Sequence, residues 1–176
     1  MLRIGSPIQV FKFNPDAASF GKGGAHLTDV EFFDEHGAPL AWVVGGEQVT
    51  LRVSVYAEMS LSSPIIGFQI RDKLGQTLFG DNTFLSYCDN PVYCDSGSTI
   101  SADFTFLMPM LPGGDYSVSA AVAEGTQENH VQLHWMHEAL VFKSEASSVS
   151  TGLIGIPMLD IALNARSAHA DEQTPQ

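Results

Sequence analysis

Side chains able to bind or polarise a ligand recur at alternate positions along three segments: Arg52, Ser54 and Tyr56; Gln69 and Arg71; Gln132 and His134. In a strand, alternation puts each set on one face. Strands laid side by side would gather all of them on one polar wall. Amides, an imidazole and guanidinium groups supply donors and acceptors for hydroxyls, and Tyr56 supplies a ring for the C–H face of a sugar. An ordinary half-buried sheet shows the same alternation on its solvated side and is the commoner case. Arg71 or Arg52 would meet an anionic substituent such as phosphate. His134 would make binding pH-sensitive. Asn82 and Thr83 lie at the mouth of a long loop, where they serve either a ligand or the backbone of the turn.

Other constellations carry less. His130, His134 and His137 have a spacing that suggests zinc on a helix. On a strand, His137 faces away from the other two, and no tetrahedral ligand set is complete. Cys88 and Cys94, with Asp89 and Asp95 beside them, suit a metal, a disulfide or two plain thiols, and Asp89, Asn90 and Asp95 lack any recognised calcium spacing. No metal and no cofactor is therefore expected. A nucleophile elbow, a phosphate-binding loop, a dinucleotide fingerprint and a metalloprotease helix are all missing. Glycoside hydrolysis needs two carboxylates roughly 5–10 Å apart across a cleft. Among 20 acidic residues nothing singles out such a pair.

The elements that must position these groups are strands. Val49, Leu51, Val53 and Val55 alternate with polar residues, as do Ile66, Phe68 and Ile70, and Phe104, Phe106 and Met108. Tyr116, Val118, Ala120 and Val122 continue the pattern, followed by Val131, Leu133 and Trp135. That parity assigns Trp135 to the core, while Trp42, beside Gly45-Gly46, is ambiguous. Asp34–Gly37 is read as closing a hairpin between Leu27–Phe33 and Leu40–Val44. Asp72–Gly75 is read as linking Ile66–Arg71 to Thr77–Phe79, and Pro112–Asp115 as linking the two longest strands. About eight short strands with almost no helical pattern predict an all-β, antiparallel β-sandwich of immunoglobulin-like or jelly-roll-like kind. Gly152–Met158 is a further strand candidate, confined by Pro157 to an edge or a strand end. Asp81–Ser98 is too long and polar for a simple turn, and its aromatics Phe84, Tyr87 and Tyr93 argue against plain disorder.

The composition limits the partners. The 176 residues include 8 Lys plus Arg against 20 Asp plus Glu, a formal charge of −12. No Lys or Arg occurs between Leu74 and Phe142. Nucleic acid and anionic membrane surfaces, both bound through basic residues, are excluded as partners. No signal-peptide core or spanning helix is visible, so a cytoplasmic protein with reduced thiols is expected. The chain divides into an N-terminal arm or linker (residues 1–24), a sandwich (25–158) and a polar tail (159–176).

An ordered set of segments points further. Ile66–Asp72 (IGFQIRD), Leu78–Thr83 (LFGDNT), Leu111–Val118 (LPGGDYSV), His134–Phe142 (HWMHEALVF) and Gly152–Pro157 (GLIGIP) occur in that order. Together they resemble the C-terminal domain of Wzt-type proteins, the ATP-binding subunits of O-antigen ABC transporters, from about Ala25 to Met158. The resemblance implies a non-catalytic, carbohydrate-binding sandwich that recognises O-polysaccharide, often at its modified non-reducing end, for export. It implies a homodimer with an exchanged C-terminal strand, and a place at the inner face of the inner membrane beside the transporter's membrane subunit. The ATPase half that precedes this domain in the family is missing from the 176 residues, so the chain reads as part of a longer protein. A glycan site at Tyr56, Gln69, Arg71, Gln132, His134, Arg52 and Asn82 then becomes the leading expectation. A purely structural dimerisation domain and a glycoside-active enzyme are the alternatives.

Overall fold

A computed structural model describes residues 12–40, 42–145 and 152–165. Two sheets form an antiparallel sandwich. The strands are β1 (Ser19–Phe20), β2 (Ala25–Asp34), β3 (Gln48–Ala57), β4 (Pro64–Asp72), β5 (Thr77–Asn82), β6 (Thr99–Leu107), β7 (Gly114–Gly125) and β8 (His130–Ser144). One helical turn, α1 (Phe84–Tyr87), interrupts the β5–β6 connection. The larger sheet has the order β1-β8-β7-β4-β5 and the smaller β2-β3-β6.

The core follows from period-two patterning. Leu51, Val53, Ile70, Val118, Leu140 and Phe142 are all fully buried. Burying a side chain of this size is worth roughly 1.5–3 kcal/mol. Tyr116 packs on Phe142 and donates its hydroxyl hydrogen bond to the Pro112 carbonyl at 2.6 Å. This tyrosine-corner arrangement is a hallmark of immunoglobulin-like sandwiches.

The turn chemistry repeats itself. Asp34 Oδ1 accepts from the amides of His36 and Ala38, and Asp72 Oδ1 accepts from those of Leu74 and Gln76. Each Asp carbonyl also accepts from the glycine three residues on, Gly37 and Gly75, both at φ of 79°. The Asp72 turn joins β4 to β5 as expected.

Three expectations need correction. The Asp34 turn closes only a brief return, with Phe33 bridging Pro39 and the Leu40 amide donating to the Phe32 carbonyl at 3.0 Å; Leu40–Val44 does not continue as a strand beside β2, whose long partner is β3. Val43 is fully buried and bridges Ser144 in the larger sheet, so this stretch crosses between sheets. Pro112–Asp115 is likewise a crossing, from β6 in the smaller sheet to β7 in the larger, and the longest strands are β7 and β8. Gly152–Met158 makes one isolated bridge, Gly155 to Met110, rather than a strand. Pro157 lacks the amide that would extend the pairing.

The arm is part of the sheet where it is described. Ser19 and Phe20 pair with Met136 and Trp135. The amides of Lys22 and Gly23 donate to the carbonyls of Gln132 and Leu133. A Cβ at Gly21 would lie 2.2 Å from the Leu133 oxygen, so only glycine permits this approach. Residues 1–11 and 166–176, the outer parts of the arm and tail, lie outside the described residues.

Candidate functional site

The expected single polar wall is divided between the two outer faces of the sandwich. Arg52, Ser54 and Tyr56 belong to β3 in the smaller sheet, whereas Gln69, Arg71, Asn82 and Gln132 lie on strands of the larger one. Periodicity sets which side of its own strand a residue takes, but not which sheet that strand joins.

On the larger sheet a cavity of about 150 Å³ opens on the outer face. Gly67, Ser119, Ala121 and Ala123 make its floor on β4 and β7, and their small size creates the depression. Gln69, Asn82, Gln132 and His130 line it with polar groups, and Trp135 closes the β8 side. Phe20 stacks on Trp135 with ring centroids 6.1 Å apart and an interplanar angle of 17°, extending the aromatic wall to β1.

Trp135 was assigned to the core by parity, and a β-bulge overturns this. Val122 pairs with His134 and Ala123 with Gln132, so Leu133 is an extra residue in β8. An inserted residue inverts the facing of every side chain beyond it. Trp135 therefore pairs with Ala121 on the outer face, three residues from Gln132 and on the same side. Neither the bulge nor the contribution of Phe20 has a signal in the alternation of the sequence.

The hydrogen bonds fix what each amide can offer. Gln69 Oε1 accepts from Arg71 Nη2 at 3.0 Å and from Thr77 Oγ1 at 3.3 Å. Its Nε2 has no partner among the described residues. Gln132 is the converse: Nε2 donates to the carbonyls of Val122 and His134 at 2.8 and 3.1 Å, leaving Oε1 unpaired. One glutamine thus presents a donor and the other an acceptor to the same cavity. Ser119 Oγ is buried beneath it without a partner among the described residues. Asn82 Oδ1 accepts from the Phe84 amide, which commits its oxygen to the start of α1 and leaves its NH₂ free. Arg71 does not line the cavity itself; it follows Gln69 on the same face of β4.

The remaining expected residues have local partners. Arg52 forms a bidentate pair with Asp103 at 2.7 and 2.8 Å and lies 5.1 Å from the centroid of the Phe33 ring. The hydrogen bond from Arg52 holds the Asp103 carboxyl below its usual range. Tyr56 packs against His26, which in turn contacts Glu58 Oε1 at 2.8 Å. His134 is turned away from Gln132 by the bulge, and its Nδ1 accepts the Leu27 amide hydrogen at 2.9 Å. Burial, then the neighbouring His26, push its pKa down against the opposing pull of Glu58. The imidazole is thus held neutral as a bond between β8 and β2.

Metal chemistry finds no support in the cysteine loop. Cys94 is buried and Cys88 exposed, and both are free thiols. Among the described residues no cluster of three or more His, Cys, Asp or Glu is placed to hold an ion. No described helix is long and apolar enough to cross a membrane.

The comparisons with known proteins agree with this architecture. No curated protein matches the sequence. A solved structure titled "Crystal structure of the C-terminal domain of wzt" superposes with a TM-score of 0.75 at 20% identity, covering 88% of this chain and 92% of that one. The likeness establishes the same β-sandwich fold. The model of the family described as Wzt C-terminal domain matches residues 16–156, including the β1 strand that the sequence reading placed in the arm. The chain belongs to the Wzt C-terminal domain family.

Proposed function

We propose that this domain is a non-catalytic carbohydrate-binding module that recognises O-polysaccharide, at its modified non-reducing end, for export by an ABC transporter. The observation that carries the reading is the complementary pair on the larger sheet. An unpaired Gln69 NH₂ and an unpaired Gln132 carbonyl oxygen face one small-floored cavity beside Trp135. A sugar hydroxyl donates and accepts at once, so a donor and an acceptor held by separate anchors select its geometry. The ring wall of Trp135 and Phe20 offers an apolar surface to pyranose C–H bonds. Arg71 stands one step along β4, where an anionic substituent would find it. Family membership supports the transporter setting, with a preceding ATPase domain and a membrane subunit as partners and the inner face of the inner membrane as location.

The test is calorimetric titration with purified O-polysaccharides differing in their terminal modification. Gln69→Ala is expected to weaken binding roughly five- to tenfold, since one net hydrogen bond is worth about 1 kcal/mol, and to lower Tm slightly because Arg71 and Thr77 lose their acceptor. Gln132→Ala should weaken binding similarly and lower Tm slightly, because its amide also satisfies carbonyls at the bulge. Tyr56→Ala, on the opposite face, should bind like wild type. Unchanged curves for both glutamine variants, on folded protein, would move the site elsewhere.

A second reading, dimerisation through the C-terminal segment, has its own support. Ile156, Leu159, Ile161 and Leu163 are 72–106% exposed. Ile156 and Leu159, with Phe79, Phe104 and Phe106, line a cavity of about 640 Å³ between edge strands β5 and β6, and Ile161 and Leu163 follow them. Exchange of this segment in a homodimer would bury them. A chain ending at Glu145 should then sediment as a monomer where the longer chain is a dimer.

A further inference from the structure

The main cavity, at about 150 Å³, is smaller than the ~300–1,000 Å³ of a site that engulfs a drug-sized ligand. It has room for one sugar unit or its substituent, and a polymer must continue outside it. We propose that the units next to the terminal one lie in a second saccharide subsite, between the start of β4 and the loop 84–98, with Tyr87 as its stacking ring. This rests on the reading of the main cavity as a glycan site.

Continuity is the first support. Ile65 lines both the main cavity and a small dip beside it. That dip shares Pro64, Thr83 and Tyr87 with a larger depression of about 320 Å³, whose far side is Val92, Ile100 and Ser101. A track therefore leads from the outer face, over the first residues of β4, to the loop. Asn82 lines the first cavity and its neighbour Thr83 the second, so one short stretch of backbone touches both.

The second support is that the loop is built, not loose. Thr83 exchanges hydrogen bonds with Ile66, its amide donating to the Ile66 carbonyl at 3.0 Å and its Oγ1 accepting from the Ile66 amide at 3.1 Å. Farther along, Leu61 and Cys94 exchange backbone hydrogen bonds at 2.8 and 2.9 Å. Ser96 donates its hydroxyl to the Glu58 carbonyl at 2.7 Å. An anchored loop nonetheless leaves Tyr87 48% and Tyr93 59% exposed. Anchoring the backbone that carries these rings lowers the ordering cost that a mobile loop would add on binding.

The chemistry of the walls selects the occupant. Tyr87, Val92 and Pro64 are apolar bodies, and Thr83, Ser101 and Asp103 are polar, with no cation among the lining residues. A neutral saccharide satisfies both kinds of wall. An acidic peptide or nucleic acid has no cation to meet.

The experiment titrates the protein with a panel of delipidated O-polysaccharides and with the single-repeat oligosaccharides prepared from each. Tyr87→Ala should weaken binding of the long polymer roughly three- to tenfold and leave the single repeat unchanged. Tyr87→Phe, which keeps the ring, should bind both like wild type. Equal binding of the polymer to wild type and Tyr87→Ala would overturn the second subsite while leaving the main cavity's role intact. Failure of wild type to bind any member of the panel would overturn the glycan reading of the main cavity, and the subsite with it. A change in sedimentation on Tyr87→Ala, with polymer affinity unaltered, would reassign the depression to contact between copies and overturn the proposal.

Discussion

The two outer faces of the sandwich are made from similar residue types and do different things with them. On the smaller sheet the best-placed polar groups are answered by a neighbouring side chain. Arg52 pairs with Asp103, Thr50 Oγ1 with Thr105 Oγ1 at 2.8 Å, and His26 with Glu58. Directly opposed positions in register bring the first two pairs together, and His26 reaches Glu58 just past the end of β3. On the larger sheet, β7 carries Ser119, Ala121 and Ala123 where long side chains would otherwise meet, and the amides of Gln69 and Gln132 each keep one end unpaired. Polar side chains alone therefore do not mark a site. What distinguishes the proposed site is a small-residue floor with hydrogen-bonding capacity left over.

That difference can be broken by filling the floor. Ala121→Trp places a large ring where the pocket now lies, and binding of O-polysaccharide should fall at least 100-fold by calorimetry. Ser54→Trp makes the same change on the opposite outer face and should leave affinity for the single-repeat oligosaccharide unaltered. Ala121 faces outward on the sheet, so both variants are expected to keep their melting temperature within a few degrees. Equal losses of affinity in the two variants would remove the distinction between the faces.

Much of this was legible beforehand. The alternation of Val49–Val55 and Ile66–Ile70 predicts β3 and β4 closely, and Asp72–Gly75 predicts the turn that follows. That Gln69, Gln132 and Asn82 lie together was legible because β4, β5 and β8 do share a sheet. Arg52 and Tyr56 were placed with them because one sequence carries no information on which strands share a sheet. Trp135 was missed for a different reason. Period-two counting assumes an uninterrupted strand, and the extra residue Leu133 has no compositional mark. Phe20 was missed because a two-residue edge strand is too short to show a period.

The bulge also sets a pH response. His134 Nδ1 accepts from the Leu27 amide only while the ring nitrogen is unprotonated. Its pKa lies below the usual value of about 6.5, chiefly through burial, with His26 lowering and Glu58 raising it. The unfolded chain then binds the proton more readily than the folded one. The contribution is complete above pH 6.5 and is lost as pH falls from there through the lowered folded value. Thermal melts between pH 7.5 and 5 should show Tm declining over that window. His134→Gln, which can still accept through Oε1, should flatten the decline. His134→Ala leaves the Leu27 amide unpaired and should cost about 1–3 kcal/mol at neutral pH. A profile identical in wild type and His134→Gln would show that another group governs it.

The smallest effect is expected where the pairing looks best. Arg52 and Asp103 make two short hydrogen bonds, but both side chains are 43% exposed. Solvent screens such pairs, so a double-mutant cycle through Arg52→Ala and Asp103→Ala should return a coupling of only about 0–1 kcal/mol. Asp103 is held below its usual carboxylate range by Arg52, so what coupling exists is present above about pH 4 and fades as pH falls through the lowered value. Affinity for the single-repeat oligosaccharide should not change in any of the three variants, because the pair lies across the sandwich from the main cavity; Asp103 lines the proposed second subsite, so the polymer is not the readout here. A coupling that instead altered single-repeat affinity would mean the smaller sheet takes part in recognition at the main cavity, and the division between the two faces would have to be redrawn around Arg52.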